Sequence, residues 1–254
     1  MENREQTDGV RINKYLTDAG VCSRREADRQ AERGKILIDG NEAKPGDRVL
    51  PGQVVTYCGK VVHPTGRKVL LAYYKPVGIV CTTDRRREKN NIVDAVGYPE
   101  RIFPIGRLDK DSEGLILLTN DGSLVNKILR AGNHHEKVYI VDVDRYVTKE
   151  FLEGMSGGVY LKELEVTTRK CSVRKLARQR FEITLTQGYN RQIRRMCEVF
   201  GYRVVGLKRI RVVNIGIGDL RPGEYREVTG KEYRELERLI RNSSEVPVQG
   251  KEEK

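Results

Sequence analysis

The ten residues from Gly106 to Leu115, G-R-L-D-K-D-S-E-G-L, constrain this chain more than any other stretch. One hydrophobic run, Ile102 to Ile105, leads into them, and a second, Leu115 to Leu118, leads out. Apolar runs on either side of a polar, glycine-bounded segment predict a strand, a loop and a second strand. The loop backbone is then fixed at both ends, and Arg107 and Asp109 project from a rigid edge, where reactive side chains are often held. Taken alone, an aspartate in such a turn is usually a turn former that bonds its own backbone. The rest of the chain decides between that role and chemistry.

Lys and Arg total 48 against 36 Asp and Glu, a formal net charge of +12 over 254 residues. Such a surplus points to a polyanionic partner, above all nucleic acid, whose phosphates release counterions when Lys and Arg bind them. The charge is clustered: Arg24-Arg25, Arg85-Arg86-Arg87, Arg191-Arg194-Arg195 and Lys208-Arg209-Arg211. No long basic amphipathic helix, lipidation motif or bilayer-length apolar run occurs, so no membrane partner is expected. The N-terminus lacks the apolar core of a signal peptide, and the five cysteines are scattered without C-x-x-C spacing. Reduced, mostly buried thiols in a cytoplasmic protein follow. His134 and His135 have no second ligand pair at zinc spacing and are expected in a loop near phosphate, with no metal. Phosphate-binding and dinucleotide-binding glycine motifs are missing, so no nucleotide cofactor is expected.

Near the N-terminus, Val10 to Ala19 reads as a short helix with Ile12, Tyr15, Leu16 and Ala19 on one face, stopped by Gly20. Ser23 opens a second helix, with Glu26 completing a capping box, and Gly34 closes it. Lys35 to Ile38 alternates as a strand, Asp39-Gly40-Asn41 turns, and short strands follow around Pro45-Gly46 and Pro51-Gly52. About 50 residues is marginal for a free-standing core and suits an appended binding module. The start of the second helix carries Ser23, Arg24 and Arg25, where backbone N–H groups and the positive dipole end favour phosphate. Arg11, Lys14, Arg33 and Lys35 extend that basic face, although solvated helix charges are the plainer reading of any one of them. The segments V-R-I-N-K-Y-L, C-S-R-R-E-A, G-K-I-L-I-D-G-N and P-G-D-R-V, in this order from Val10 to Tyr57, resemble the S4 RNA-binding domain.

This places a disordered N-terminus at residues 1–9, the small domain at 10–58 and a polar linker at 59–68. A larger domain at 69–241 and a disordered, charged tail at 242–254 complete the expected division. The larger domain opens on a strand, Val69 to Tyr74. Helices are expected at Ser123 to Arg130, Lys149 to Met155, Arg191 to Phe200 and Lys231 to Arg241, the last with a capping box of Thr229 and Glu232. Strands at Val138 to Val143, Phe181 to Thr186 and Tyr202 to Leu207 do not alternate regularly with the helices. That pattern predicts an α+β fold with a mixed, largely antiparallel sheet.

Three motifs stand beside the Asp109 loop. Tyr74-Lys75-Pro76-Val77-Gly78-Ile79-Val80 ends a strand in a fixed turn, and Lys137-Val138-Tyr139 begins another strand after a polar loop. In Q-G-Y-N-R-Q-I-R-R-M, Asn190 is a natural N-cap for a helix that carries Arg191, Arg194 and Arg195. Arg191 and Arg194 are three apart and can share a face.

In this order, after an S4-like segment, these motifs resemble the RsuA/RluF-type family of rRNA pseudouridine synthases, most closely its RluF subgroup. The resemblance covers nearly the whole chain apart from the last dozen or so residues. Members of that subgroup often carry a longer basic C-terminal extension, whereas this chain stops soon after Arg241. The family implies isomerisation of specific large-subunit (23S) rRNA uridines without any cofactor. It also implies Asp109 as the essential aspartate, Arg194 as the basic residue that pairs with it, and Tyr139 as the residue that stacks on the base and takes part in proton transfer at C5. Arg107 would brace the gap left by the flipped base. Arg191, Lys208, Arg209 and the Arg85–Arg87 loop would contact phosphates, and Ile193 and Leu207 would wall the cleft. A tRNA uridine is the alternative or additional substrate, and a non-catalytic S4-type RNA-binding or ribosome-assembly factor is the alternative class. A monomer is expected.

Overall fold

In the computed structural model, which describes residues 9–64, 66–84 and 88–243, the helix expected from Val10 begins two residues later. Val10 and Arg11 form a strand, β1 (Val10–Arg11), paired with Val49 and Arg48, because extended backbone there finds an antiparallel partner. Helix α1 (Ile12–Asp18) then buries Ile12 and Leu16. Helix α2 (Arg24–Glu32) is capped by Ser23, whose hydroxyl accepts the Glu26 N–H at 3.2 Å. The capping box is half-built, because Arg29 and Gln30 take the Glu26 carboxylate. Five short strands follow: β2 (Ile36–Ile38), β3 (Asn41–Glu42), β4 (Arg48–Val49), β5 (Val55–Tyr57) and β6 (Lys60–Val62). A sheet of order β3-β2-β5-β6 packs against the two helices around Leu16, Ala27, Ile36 and Val55. The stretch expected to be linker therefore contains a strand. Cys58 and Gly59 adopt positive φ, at 49° and 79°, and turn Lys60–Val62 back onto Val55–Tyr57. This unit runs to Lys68 and takes in Pro99–Ile102.

The second unit begins with β7 (Leu70–Lys75) and α3 (Ile92–Val96), then β8 (Phe103–Ile105), β9 (Glu113–Thr119) and α4 (Gly122–Leu129). It continues through β10 (Lys137–Val143), α5 (Lys149–Ser156), β11 (Tyr160–Leu161), β12 (Val166–Thr167), β13 (Ser172–Ala177) and β14 (Arg180–Leu185). The last elements are α6 (Gln192–Val199), β15 (Val204–Val212), β16 (Ile215–Gly216), β17 (Tyr225–Glu227) and α7 (Gly230–Ile240). Nine strands make one sheet with the order β13-β14-β10-β15-β9-β7-β17, with β16 beside β15 and β8 beside β9. Every pairing in it is antiparallel except β15 with β9, so the expected mixed, largely antiparallel α+β fold is what forms.

Two apolar cores of this unit hold its helices against the sheet. One packs Phe151 and Met155 of α5 and Ile193 and Met196 of α6 on Val141, Phe181 and Leu207. The other packs Leu124 and Ile128 of α4 and Leu236 of α7 on Leu70, Leu115 and Leu117. The second expected capping box does not form: Thr229 precedes α7 without a side-chain cap bond, and Arg226 holds Glu232 at 2.6 and 2.8 Å. Cys22, Cys81 and Cys197 are buried, Cys171 half-buried and Cys58 exposed. His134 lies in the loop before β10, and the His135 ring bonds the Ser243 hydroxyl at 2.7 Å. Among the described residues no helix is long and apolar enough to cross a membrane. The arginine run Arg85–Arg87 and almost all of the two charged ends lie outside the described residues.

Candidate active site

The strand-loop-strand expected around Asp109 is β8, a tight loop and β9, paired with Ile105 opposite Leu117. Two glycines allow it. Gly106 sits at φ +79°, and a Cβ there would meet Leu129 at 2.8 Å. Gly114 sits at φ +103°, where a Cβ would lie 2.3 Å from the Arg209 carbonyl oxygen. Any other residue at either place would combine left-handed strain with a clash.

The loop is fastened from several directions. Leu108 is buried and donates its N–H to the Cys81 sulfur at 3.3 Å. The Lys110 carbonyl accepts the Gly78 N–H at 2.7 Å, and the Asp109 carbonyl accepts the Ser112 N–H at 3.1 Å. The turn carrying Gly78 is itself held by Lys75, a fully buried lysine whose ammonium donates to the Pro76 and Ile79 carbonyls at 2.8 and 2.9 Å. Burial pushes the Lys75 pKa down against the pull of Cys81, Asp109, Asp111 and Glu113. The K-P-x-G motif is thus a brace for the loop, and Asp109 stands out from it with 32% of its side chain exposed.

The arginines arrange themselves differently from the expectation. Helix α6 starts at Gln192, and Arg191, not Asn190, is its N-cap residue, in a left-handed conformation at φ 53°. The Gln192 side chain accepts the Tyr189 N–H at 3.0 Å and ties the preceding turn to the helix. From the cap, the Arg191 guanidinium bonds both carboxylate oxygens of Asp111 at 3.1 Å and lies 3.8 Å from Asp109 Oδ2. Arg194 is buried; it donates to the Asp111 and Val204 carbonyls at 3.0 and 3.2 Å and to the Ser112 hydroxyl at 3.3 Å. Its charge pairs with the Asp111 carboxylate at 3.3 Å. The guanidinium facing Asp109 is therefore Arg191's. Arg194 is drawn under the loop by carbonyl acceptors that only a buried, multidentate donor can satisfy. Burial alone would raise the Asp111 pKa, but the Arg191 hydrogen bonds and the two guanidinium charges outweigh it and hold Asp111 below the usual carboxylate range.

A cleft of about 430 Å³ opens beside Asp109. Arg107, Asp109, Lys137, Tyr139, Gln187, Arg191 and Arg209 line it, with Leu108, Leu129, Leu185, Ile193 and Leu207 as apolar wall. Tyr139 stands half-buried in β10, between Ile183 and Arg209 of the flanking strands. Arg107 is exposed on the rim. The two nearby acids of the loop are engaged elsewhere: Arg191 holds Asp111, and Glu113 accepts the Tyr74 hydroxyl at 2.9 Å. Arg209 is not a surface phosphate contact. It is 3% exposed, and its Nε donates to the Leu115 carbonyl at 2.7 Å, because strand alternation turns it inward beside the cleft. Its neighbour Lys208 turns the other way and places its ammonium 4.8 Å from the Tyr74 ring centre.

In the first unit, Ser23 spends its hydroxyl on capping α2, while Arg24 and Arg25 are exposed in its first turn. Lys14 pairs with Asp18, and Arg11, Arg33 and Lys35 are exposed. Four residues of the second unit gain roles that sequence reasoning did not give them: Lys75, Asp111, Lys137 and Gln187. Lys137 is 7% exposed and donates to the His135 carbonyl at 3.2 Å. Burial, joined by the Arg209 charge, pushes its pKa down to about 8. A lysine two residues before Tyr139 on a half-buried strand was the available signal, since alternation points both side chains the same way.

Residues 69–199 match the family model of RNA pseudouridylate synthases, and residues 10–55 match that of the S4 domain. The dual-specificity RNA pseudouridine synthase RluF of Escherichia coli (strain K12) is 54% identical over 237 residues, which cover 92% of this chain and 81% of that protein. The ribosomal large subunit pseudouridine synthase B of Bacillus subtilis (strain 168) is 32% identical over 235 residues, 90% of this chain and 96% of that one. A crystal structure of a pseudouridylate synthase shares the fold with a TM-score of 0.66 at 24% identity, over 91% of this chain and 100% of the other.

Proposed function

The chain belongs to the RNA pseudouridylate synthase family, in its S4-bearing RluF/RsuA branch, and on that premise we propose that it converts specific uridines of large-subunit rRNA to pseudouridine, with a tRNA uridine as a second substrate. The names of its relatives support both parts: one is called a large-subunit enzyme and the other dual-specificity. The observation that carries the reading is the convergence of Asp109, Tyr139 and Arg191 on one cleft with apolar walls.

The chemistry is self-contained. The N1–C1′ bond of uridine breaks, the uracil turns, C5 joins C1′, and the proton lost from C5 balances the one gained at N1. Breaking a glycosidic bond builds positive charge on the ribose, which a carboxylate stabilises, as in glycosidases. Asp109 takes that part, as a nucleophile at C1′ or a base at C2′, with the Arg191 guanidinium 3.8 Å from its Oδ2. Tyr139 stacks on the extruded base and serves the proton transfer at C5. Arg107, on the rim, braces the gap left in the RNA. Arg194 holds the loop that presents Asp109 and does not itself face the ribose. The exposed Arg24 and Arg25 at the α2 N-terminus, with Arg11 and Lys35, contact RNA phosphates.

Asp109→Asn tests this: pseudouridine formation is lost while RNA affinity falls little. Full conversion of rRNA by that variant, read by nucleoside analysis, would remove the assigned role. Pseudouridine mapping of total RNA from cells with and without the gene identifies the target and separates rRNA from tRNA.

A further inference from the structure

Among the described residues, two that line the cleft carry a buried donor with no hydrogen-bond partner. The amide nitrogen Nε2 of Gln187 and the Nη2 nitrogen of Arg209 are both enclosed and unbonded, in residues that are 6% and 3% exposed. Both residues line the cleft that Asp109 and Tyr139 share. An enclosed donor without an acceptor is costly, and a ligand atom that completes it is a common reason for its presence. Arg209 is anchored through its Nε to Leu115, so its free nitrogen is fixed in place.

We propose that Gln187, assisted by Arg209, reads the imide edge of the flipped uracil and so sets the preference for uridine. This rests on the reading above that a uridine enters the cleft. The imide edge presents O2, N3–H and O4, an acceptor, a donor and an acceptor. The Gln187 amide offers an acceptor and a donor side by side, which match N3–H and one carbonyl. Arg209 Nη2 supplies the donor for the other carbonyl. Cytosine fails the match, because its N3 is an acceptor and its C4 carries an amino group.

The same edge suits the reaction. Joining C5 to C1′ requires a half turn of the uracil about the axis through N3 and C6. That turn exchanges N1 with C5 and O2 with O4, and leaves N3 in place. An amide bonded to N3–H and one carbonyl therefore finds an equivalent partner before and after the rotation. Gln187 and Arg209 can hold the detached base through the step without favouring either orientation.

The test is a cycle of variants and analogues. Single-turnover pseudouridine formation is measured for the full-length wild type and Gln187→Met on RNAs carrying uridine, 2-thiouridine or 4-thiouridine at the target position. Sulfur is a weak acceptor of similar shape. The wild type is expected to lose about tenfold with each sulfur analogue, and Gln187→Met to be about ten- to a hundredfold slower on uridine and to lose the sulfur penalty at one position while keeping it at the carbonyl that Arg209 meets. Gln187→Glu, which keeps the shape and one acceptor, carries the same cycle if methionine disturbs folding. Wild-type rates in the variants, or slow variants whose sulfur penalties stay at the wild-type level, would overturn the proposal and leave the uridine reading standing. No conversion of uridine by the wild type would overturn that reading first.

Discussion

Arg191 grips Asp111 through two N–O contacts of 3.1 Å and reaches Asp109, two residues earlier, at 3.8 Å. Asp111 thus fixes the position of the charge that faces the candidate catalytic carboxylate. It also receives the side chain of Arg194, so one acid at the surface end of the loop ties both arginines to the segment that presents Asp109.

Asp111→Asn should expose that dependence. The amide keeps the shape but can no longer hold two guanidinium groups by charge, so Arg191 is free to shift relative to Asp109. The single-turnover rate is expected to fall about ten- to a hundredfold while RNA affinity changes little, since positioned charge acts mainly on the transition state. The depressed Asp111 pKa adds a stability effect with a definite sign. A carboxylate held below its unfolded value stabilises the fold above that value, and the contribution is lost as pH falls through the folded one. Wild type should lose stability in acid relative to Asp111→Asn. Equal rates for the two proteins would remove Asp111 from the positioning of the site.

The two arginines should separate cleanly. Arg194 is 8% exposed and its donors serve two carbonyls, a hydroxyl and a carboxylate, so Arg194→Met strands several acceptors under the loop. Urea unfolding is expected to show a loss on the order of 3 kcal/mol, as when buried acceptors are left without their donor. Arg191 is exposed at the cleft with 41% of its side chain accessible, and Arg191→Ala should cost activity with less than about 1 kcal/mol of stability. Reversed effects would mean that the helix start is not as described.

Why the exchange of arginines could not be read from the chain is instructive. A spacing of three puts Arg191 and Arg194 on one helix face only if both are helical, and asparagine is the better N-cap by preference. The backbone instead takes its left-handed turn at Arg191, a choice fixed by the packing of Gln192 and the preceding turn. The capping boxes at Glu26 and Glu232 fail for a related reason: nearby arginines compete for the same carboxylates. By contrast, the Asp109 loop was legible because apolar runs on both sides leave it little freedom, and the four motifs fell where the sheet needs them. Lys208 and Arg209 show the limit. Two adjacent cations on a strand must point to opposite faces, but the letters alone do not say which one turns in.

The basic end of α2 supports a separate prediction about affinity. Arg24 and Arg25 are exposed in the first turn of the helix, where the backbone N–H groups and dipole already favour an anion. Replacing both by alanine should weaken RNA binding and reduce the slope of log K against log salt by roughly 1–2, as expected when up to two phosphate contacts are lost. Filter binding across a salt series measures it. Weaker binding with an unchanged slope would mean that these arginines do not neutralise phosphates.

Lys137 gives the fold a dependence on alkaline pH. Its ordinary value of 10.5 is pushed down to about 8 by burial and by the Arg209 charge. Folding therefore carries the full cost of the buried ammonium below pH 8, where both states are protonated. Between about 8 and 10.5 the unfolded chain binds more protons than the native one, so the Lys137 contribution to stability rises with pH. Above that window both states are neutral and the cost is gone. The change amounts to on the order of 3 kcal/mol across the window, since each pKa unit is worth about 1.4 kcal/mol. Other lysines and tyrosines titrate there too, so the measurement is a difference: urea midpoints of wild type and Lys137→Met from pH 7 to 11. The wild type should gain on the variant as pH rises through the window. A difference that stays flat would show that Lys137 titrates as an ordinary solvated lysine and that its burial beside Arg209 is not what the fold contains.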